Sequence, residues 1–458
     1  MAATNNTNWC KSVAFQFAQF SEPTSVSQVQ QLVMAAKTRN QQVRVVGSAH
    51  SFNQIANTTN GVGLSLIKMT GLASPIDTST NPPMVSIHAG STYGDICSLL
   101  HEQGFALHNL ASLPHVTIAG AVATGTHGSG VGNRNLADSV VAITLVDSDG
   151  EVRTLSARED SEDFKAALVG FGSFGVVTSL TLKLLPTYHI CQLVYSPLPL
   201  KSIFESQSAL LEAMSCAYSV SIFTRFQHDE STTSIWTKRK TSSSPPPTSL
   251  LSAPLLSTPL HPIPGLPTDS VTEQLGAPGP WFERLPHFRL VTADGSPGTP
   301  SVGDELQTEY FVPLSDAAAA VAAVSSIGPK LAPTLAISEL RAIRGDELVM
   351  SPARGRDSFA LHFTWRYEGG RLREQVWACC KEVERVLSQF SPRPHMGKVH
   401  AMSPGDLRRA YGGDDVVRAF VTKQQEIGGP AFRNEFYDAF FVDETDVIEE
   451  GMQRLMGC

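Results

Sequence analysis

Between Ala119 and Gly132 the chain reads AGAVATGTHGSGVG, and every residue except His127 is Gly, Ala, Ser, Thr or Val. A run with so little side-chain bulk does not fill a core by itself, because a packed interior needs volume. It does offer many backbone N–H groups and hydroxyls at close approach, which suits a pyrophosphate and a flat ring laid against backbone. Taken alone it also fits a flexible glycine-rich surface loop. Upstream, VRVVGSAHSFN (Val43–Asn53) has the same character: a strand-like start runs out into Gly47, Ser48 and Ala49 and places His50 at the exit. Two anion-cradling loops in one unit point to a large cofactor with His50 beside it; a plain core histidine is the alternative.

A second glycine pattern is a decoy. GFGSFG (Gly170–Gly175) matches G-x-G-x-x-G, but a dinucleotide fold needs that pattern to leave a strand and open a helix. Here helix-like SEDFKAALVG precedes it and strand-like VVTSLTLKLLP follows, so the pattern reads as a tight helix-to-strand turn. The chain has no Walker A lysine, no H-E-x-x-H and no G-x-S-x-G.

The length of 458 residues predicts two or three folding units. The net charge of -8 argues against a nucleic-acid or anionic-membrane binder. No apolar run approaches the roughly 20 residues of a membrane span. Seven cysteines, an odd number without C-x-x-C, predict neither a disulfide framework nor a zinc site, and no metal is expected. With no secretory pattern at the start and no lipidation or peroxisomal signal at the end, the expected location is the cytoplasm.

Residues 24–37 predict a helix, with Ser25 and Gln28 at capping-box spacing. SVVAITLVDSDGEVRTLS predicts a hairpin around Ser-Asp-Gly. LQTEYFVPL, TLAISELRA and SFALHFTW predict strands; SDAAAAVAAVSS and LREQVWACCKEVERVLSQF predict helices. The Ser/Pro-rich stretch 241–268 predicts an extended surface loop. Strand side chains alternate with period 2, so Glu339 and Arg341 share one face, as do His362 and Thr364. A surface ion pair and a structural histidine are the alternatives for these residues.

GSAHSFN followed by ASLPHVTIAGAVATGTHGSGVGN resembles the flavin-binding half of the vanillyl-alcohol oxidase superfamily, and within it the alditol oxidases, with the aldonolactone oxidases next. The resemblance runs from Thr7–Trp9 through GAPGPWFERLPHFR (Gly276–Arg289), SPARGRDSFALHFTW and RPHMGKV. It implies an α+β, two-domain flavoprotein: a PCMH-type FAD-binding domain over 1–187, a substrate (cap) domain over 188–393 built on an antiparallel sheet with helices, and a C-terminal segment, 394–458, returning to the FAD-binding domain. It also implies FAD joined covalently through His50. Val46, Gly47, Ser48, Ala49, Ser51, Ser112, Thr117, Gly120, Thr124, Gly125, Thr126, His127, Gly128 and Ser129 match flavin-contacting positions, with Val176 or Val177 adding a backbone contact.

The same resemblance carries a substrate site over to Ser112, Glu339, Arg341, Thr364 and Lys398. Arg341 and Lys398 are expected to stabilise a developing alkoxide, with His362 or a water as proton acceptor. The implied reaction oxidises a terminal CH–OH of a polyol such as xylitol or sorbitol to the aldose and reduces O₂ to hydrogen peroxide. The alternatives are an aldonolactone oxidase or dehydrogenase, and a noncatalytic flavin-binding protein. The expected partners are a small polyol and O₂, in a monomer.

Overall fold

The computed structural model describes residues 7–227, 233–241, 246–291, 304–442 and 449–457. The N-terminal half combines two small sheets with helices. Gln19–Ser21, Val62–Leu64 and Val43–Val45 form a parallel three-stranded sheet. Met84–His88, Val176–Lys183, Val140–Val146 and Val152–Ser156 lie side by side in an antiparallel sheet, the last two being the hairpin expected around Ser-Asp-Gly. The helix Val26–Thr38 starts at Ser25, whose hydroxyl accepts from Gln28 N–H at 3.3 Å. The Gln28 carboxamide reaches back to Thr24 N–H instead of Ser25, so the reciprocal half of the box is displaced by one residue.

GFGSFG is a turn between the helix Ser161–Leu168 and the strand Val176–Lys183. The buried Arg44 guanidinium donates to the carbonyls of Phe171 and Gly172 in that turn and to those of Ile55 and Phe432. Burial lowers its pKa to about 10. Arg44 thus ties together three segments that are distant in sequence.

An eight-stranded sheet organises the other half. Its order is Gly279–Pro280, His189–Tyr195, Ser234–Lys240, Ser219–Thr224, Leu335–Ile343, Ser358–Arg366, Glu305–Pro313 and Arg393–Pro394, with neighbours antiparallel. The helices Ala317–Ser326 and Arg373–Leu387 pack on one face, where Tyr310 Oη donates to Glu384 at 2.7 Å. Alternation then sends Glu309 to the opposite face, toward the N-terminal half.

The stretch 246–268 is more structured than a free surface loop. Ser249–Leu250 and Ala253–Pro254 make a small hairpin. Ser196 N–H donates to Pro254 O, Leu256 N–H to Val194 O, and Tyr195 Oη to Pro247 O. Leu256, Leu260 and Ile263 pack on a cluster of Val194, Phe223, Trp236, Val271 and Ile337. A Pro-rich segment has too few N–H groups for a sheet interior, but it still binds an edge strand with the few it has. Residues 242–245 of this stretch lie outside the described residues.

The C-terminal segment packs back on the N-terminal half. Asn53 Nδ2 donates to the carbonyls of Met396 and Lys398, and Gln424 Nε2 donates to Ser173 O. Asn434 Nδ2 reaches the carbonyls of Gln54, Ile55 and Asn57.

Candidate active site

A cavity of about 630 Å³ runs between the two halves. Its N-terminal wall is backbone and small side chains: residues 45–53, Ala89 and Gly90, Ala111 and Ser112, much of 115–127, Gly172, Gly175 and Val177. Close approach demands glycine at two of these positions. A Cβ at Gly47 would lie 2.2 Å from Thr117 Oγ1, and one at Gly90 would lie 1.8 Å from Leu66 O. Thr117 N–H donates to Ser48 Oγ at 3.2 Å, so the two cradling loops are hydrogen-bonded to each other.

His50 follows Ala49, whose φ of +56° is unusual for a residue with a Cβ. Trp9 N–H donates to Ala49 O, Asn8 Nδ2 donates to Ser51 O, and the Trp9 ring stacks on His50 at 4.9 Å between centroids. The imidazole is thereby clamped from one side while it lines the cavity. Burial, with His115 nearby, lowers its pKa to about 4, so the ring is neutral at pH 7.

Four of the expected flavin-side positions stand off the cavity wall. Gly125 makes the turn after the helix Ile118–Ala123 at φ +69°. Gly128 abuts Asn109, whose Oδ1 would lie 2.5 Å from a Cβ there. Ser129 spends its hydroxyl on Val220 O. Val176 is fully buried, paired with Val146 in its sheet. The end of the small-residue tract is thus used for joining the halves: Gly130 N–H donates to Ala342 O at 2.8 Å. The remaining expected positions, Val46, Gly47, Ser48, Ala49, His50, Ser51, Ser112, Thr117, Gly120, Thr124, Thr126, His127 and Val177, line the cavity.

The opposite wall is the free face of the eight-stranded sheet, and its register sets side chains in rows. Ile337, Thr364 and Gln307 form one row, and Phe223, Glu339, His362 and Glu309 the next. Arg341 lies one further step along, between Ser221 and Ala360. Lys398 enters from the segment after Arg393–Pro394, where His395 N–H donates to Glu309 O and Val399 N–H to Gln307 O. Glu339, Arg341, His362, Thr364 and Lys398 therefore converge on one cavity with Ser112 across from them.

The hub of this wall is Glu309, a residue that sequence reasoning passed over. It is 1% exposed. Its Oε1 lies 2.5 Å from an Arg341 terminal nitrogen and 3.1 Å from His127 Nε2, and its Oε2 lies 2.8 Å from Lys398 Nζ. Burial pushes the Glu309 carboxyl up, but Lys398 and Arg341 outweigh burial and hold it well below the usual range. Burial likewise opposes Glu339, and Arg341 with His287 brings it well below the usual range. Burial pulls the Lys398 ammonium down, with Glu309 the chief group opposing that. Glu309 and Glu339 thus face Arg341 and Lys398, with a third buried carboxylate, Glu305, in the same wall.

His362, the expected proton acceptor, lines the cavity with one ring nitrogen engaged. Gln307 Nε2 donates to Glu305 at 2.7 Å, which turns the Gln307 carbonyl oxygen toward His362 Nε2 at 3.0 Å. A carbonyl only accepts, so Nε2 carries the proton. Nδ1 is buried without a partner among the described residues. Burial, with Lys398 next, holds the ring neutral far below its ordinary pKa. Nε2 is thus spent on Gln307, while Nδ1 keeps the ring's lone pair.

A backbone-lined cradle faces a wall of buried charge, and the comparisons place that arrangement in an FAD-dependent oxidoreductase. An FAD binding domain model matches residues 17–156, and a D-arabinono-1,4-lactone oxidase model matches 304–426. Alditol oxidase from Streptomyces sp. is 37% identical over 89% of this chain and 92% of its own length. L-Gulonolactone oxidase from Bos taurus is 26% identical over 88% and 91%. Cholesterol oxidase from B. sterolicum superposes with a TM-score of 0.73 at 14% identity, covering 95% of this chain and 96% of its own. Xylooligosaccharide oxidase from Myceliophthora thermophila C1 superposes at 0.71 and 14%, covering 97% and 95%.

The chain belongs to the alditol oxidase family of FAD-dependent oxidases. Among its described residues no helix is long and apolar enough to cross a membrane.

Proposed function

We propose that this protein oxidises the terminal CH–OH of a linear polyol to the aldose, with FAD tethered to His50 and O₂ reduced to hydrogen peroxide. The carrying observation is the convergence of Ser112, Glu339, Arg341, Thr364 and Lys398 on the cavity that the cofactor cradle opens into. The site fits FAD on its own features: a cavity of about 630 Å³, a wall of backbone and small side chains from 45–53 and 115–127, and a neutral imidazole in that wall. When bound there, FAD supplies the two-electron acceptor for the alcohol hydride and passes the electrons to O₂.

The loops around Gly47–Ser51 and Thr117–His127 hold the cofactor, and His50 is its attachment point. Neutral His50 has a lone pair available for the 8α carbon. On the other wall, Glu339 accepts from substrate hydroxyls, while Arg341 and Lys398 only donate. These two fixed cations favour the alkoxide over the alcohol, and preorganised charge of this kind is often the largest catalytic contribution. Glu309 holds both cations in place. With His362 Nε2 donating to Gln307, its Nδ1 keeps a lone pair, and the hydroxyl proton passes to it or to a water.

The observation favouring the polyol over a lactone is the 37% identity to the alditol oxidase, against 26% to L-gulonolactone oxidase over a similar span. Glu339→Gln tests the reading. Polyol kcat/KM should fall more than that of 1-butanol, which has no second hydroxyl to place there. An equal fall for both would refute the hydroxyl-recognition role. The tether is tested separately: acid-precipitated protein should retain its yellow colour and His50→Ala should release it, whereas release from the unmutated protein would refute the tether.

A further inference from the structure

Next to Glu339 stand two buried residues that the reaction as described does not use: His287, which lines the cavity, and Lys238, one contact further out. Lys238 is 2% exposed and His287 is 4% exposed. His287 Nε2 lies 2.8 Å from Glu339 Oε1, and His287 Nδ1 lies 3.2 Å from Lys238 Nζ. Lys238 Nζ also donates to Leu285 O. We propose that Lys238 and His287 form a relay that orients Glu339 for substrate hydroxyls, with Lys238 a positioning residue acting through the His287 tautomer. This rests on the polyol reading of the site.

The donor–acceptor logic is strict. As an ammonium, Lys238 Nζ can only donate, and it does so to a ring nitrogen bearing a lone pair, so Nδ1 of neutral His287 is unprotonated and Nε2 carries the proton. That proton points at Glu339 Oε1. The other tautomer would set a ring lone pair against a carboxylate oxygen at 2.8 Å. Burial holds the His287 pKa at about 4, so the ring is neutral and a tautomer choice exists.

Arg341 does not replace this contact. Its Nε stands 3.7 Å from Glu339 Oε1, and that nitrogen has no hydrogen-bond partner among the described residues. Glu339 Oε2 makes no protein hydrogen bond there, and Glu339 lines the cavity. One oxygen is therefore anchored by a neighbour in the cavity wall and the other is left for the ligand. The anchor is itself fixed to the cofactor side, because His287 N–H donates to Ser112 O at 3.2 Å. Burial lowers Lys238 to about 7. Below that pH the ammonium can only donate and fixes the tautomer; above it the neutral amine also has a lone pair, and the Glu339 carboxylate alone favours the Nε2–H form.

The test uses holoenzyme and four variants: Lys238→Met, Lys238→Gln, His287→Gln and the double variant Lys238→Met/His287→Gln. Lys238→Met removes the donor to Nδ1 at similar volume. It should raise polyol KM about tenfold or more, the scale of a lost hydrogen bond to a charged group. The 1-butanol constants and the flavin absorbance should stay near wild type. The Kd of xylitol for anaerobically reduced enzyme, read by calorimetry without turnover, should rise in parallel.

Lys238→Gln keeps an N–H donor and should restore most of the affinity. His287→Gln presents an amide donor to Glu339 that needs no tautomer choice, so adding Lys238→Met to it should change KM little. Equal losses from Lys238→Met in the wild-type and His287→Gln backgrounds would overturn the relay, as would an unchanged polyol KM in Lys238→Met. If Lys238→Met fails to hold flavin, Lys238→Gln and His287→Gln decide: a tenfold polyol-specific loss in Lys238→Gln contradicts the relay. Wild-type enzyme that shows no preference for polyols over 1-butanol would instead refute the reading of the site.

Discussion

Replacing Glu309 by Gln removes the carboxylate that contacts both buried cations of the wall, Arg341 and Lys398. The shape is kept and a carbonyl remains for Arg341, but Lys398 loses the oxygen at 2.8 Å and the charge that supports its proton. Removing one partner of a buried ion pair costs about 3–5 kcal/mol, and the retained carbonyl sets the lower end, about 3 kcal/mol. At about 2.1 cal/mol/K per residue, 458 residues give an unfolding entropy of about 1 kcal/mol/K, so Tm should fall by roughly 3 °C at pH 7. The sign of the pH dependence follows from the depressed Glu309 pKa. A carboxylate of this kind contributes stability that is complete above its unfolded value and is lost as pH falls through the folded one. The gap between wild type and Glu309→Gln should therefore be widest near neutrality and close well below pH 4.5. Activity has its own signature. Without Glu309 the Lys398 ammonium gives up its proton at lower pH, so the alkaline limb of kcat should move down. Differential scanning fluorimetry across pH and a kcat–pH profile read both effects. A variant with unmoved Tm and an unmoved alkaline limb would refute the hub role of Glu309.

Arg341→Ala and Lys398→Ala should each lower kcat about a hundredfold in steady-state peroxide assays, because both cations act on charge that develops in the transition state; a rise in KM alone would reduce them to binding groups. Gly47→Ala places a methyl 2.2 Å from Thr117 Oγ1, so the purified protein should carry markedly less flavin by its absorbance ratio, and a full complement would show that the loop yields. Excising 246–257 should leave the flavin in place, since this stretch first meets the cavity wall at Pro262. It should also lower Tm, because Tyr195, Ser196 and the Val194 cluster lose their cover; loss of flavin would show a wider packing role.

The parts of this site that were legible in the sequence obey a local rule. Glu339 and Arg341, like His362 and Thr364, share a face because strand side chains alternate, and no knowledge of neighbouring strands is needed to say so. Gln307 and Glu309 carry the same signal inside LQTEYFVPL, but their importance depends on register: only the pairing of Glu309 with His362, and of His362 with Glu339, brings three strands into one row. His287 follows Pro286 outside any regular element, so no periodicity assigns it a face. Gly128 and Ser129 share the composition of the cofactor loop, yet their backbone and hydroxyl go to Asn109, Val220 and the neighbouring strand. Composition marked the tract but could not divide it between its two tasks. The 246–268 segment shows the converse: its prolines exclude regular structure, while Leu256, Leu260 and Ile263 still give it apolar contacts to pack with.

The measurement that bears most directly on the account is peroxide release by the purified holoenzyme in air-saturated buffer, across xylitol, sorbitol, L-gulono-1,4-lactone and 1-butanol. A wall of Glu339, Arg341, Thr364 and Lys398 facing Ser112 predicts the highest kcat/KM for a linear alditol, with 1-butanol far behind and one mole of peroxide formed per mole of aldose. A higher kcat/KM for the lactone than for either alditol, or alditol oxidation without peroxide, would contradict it.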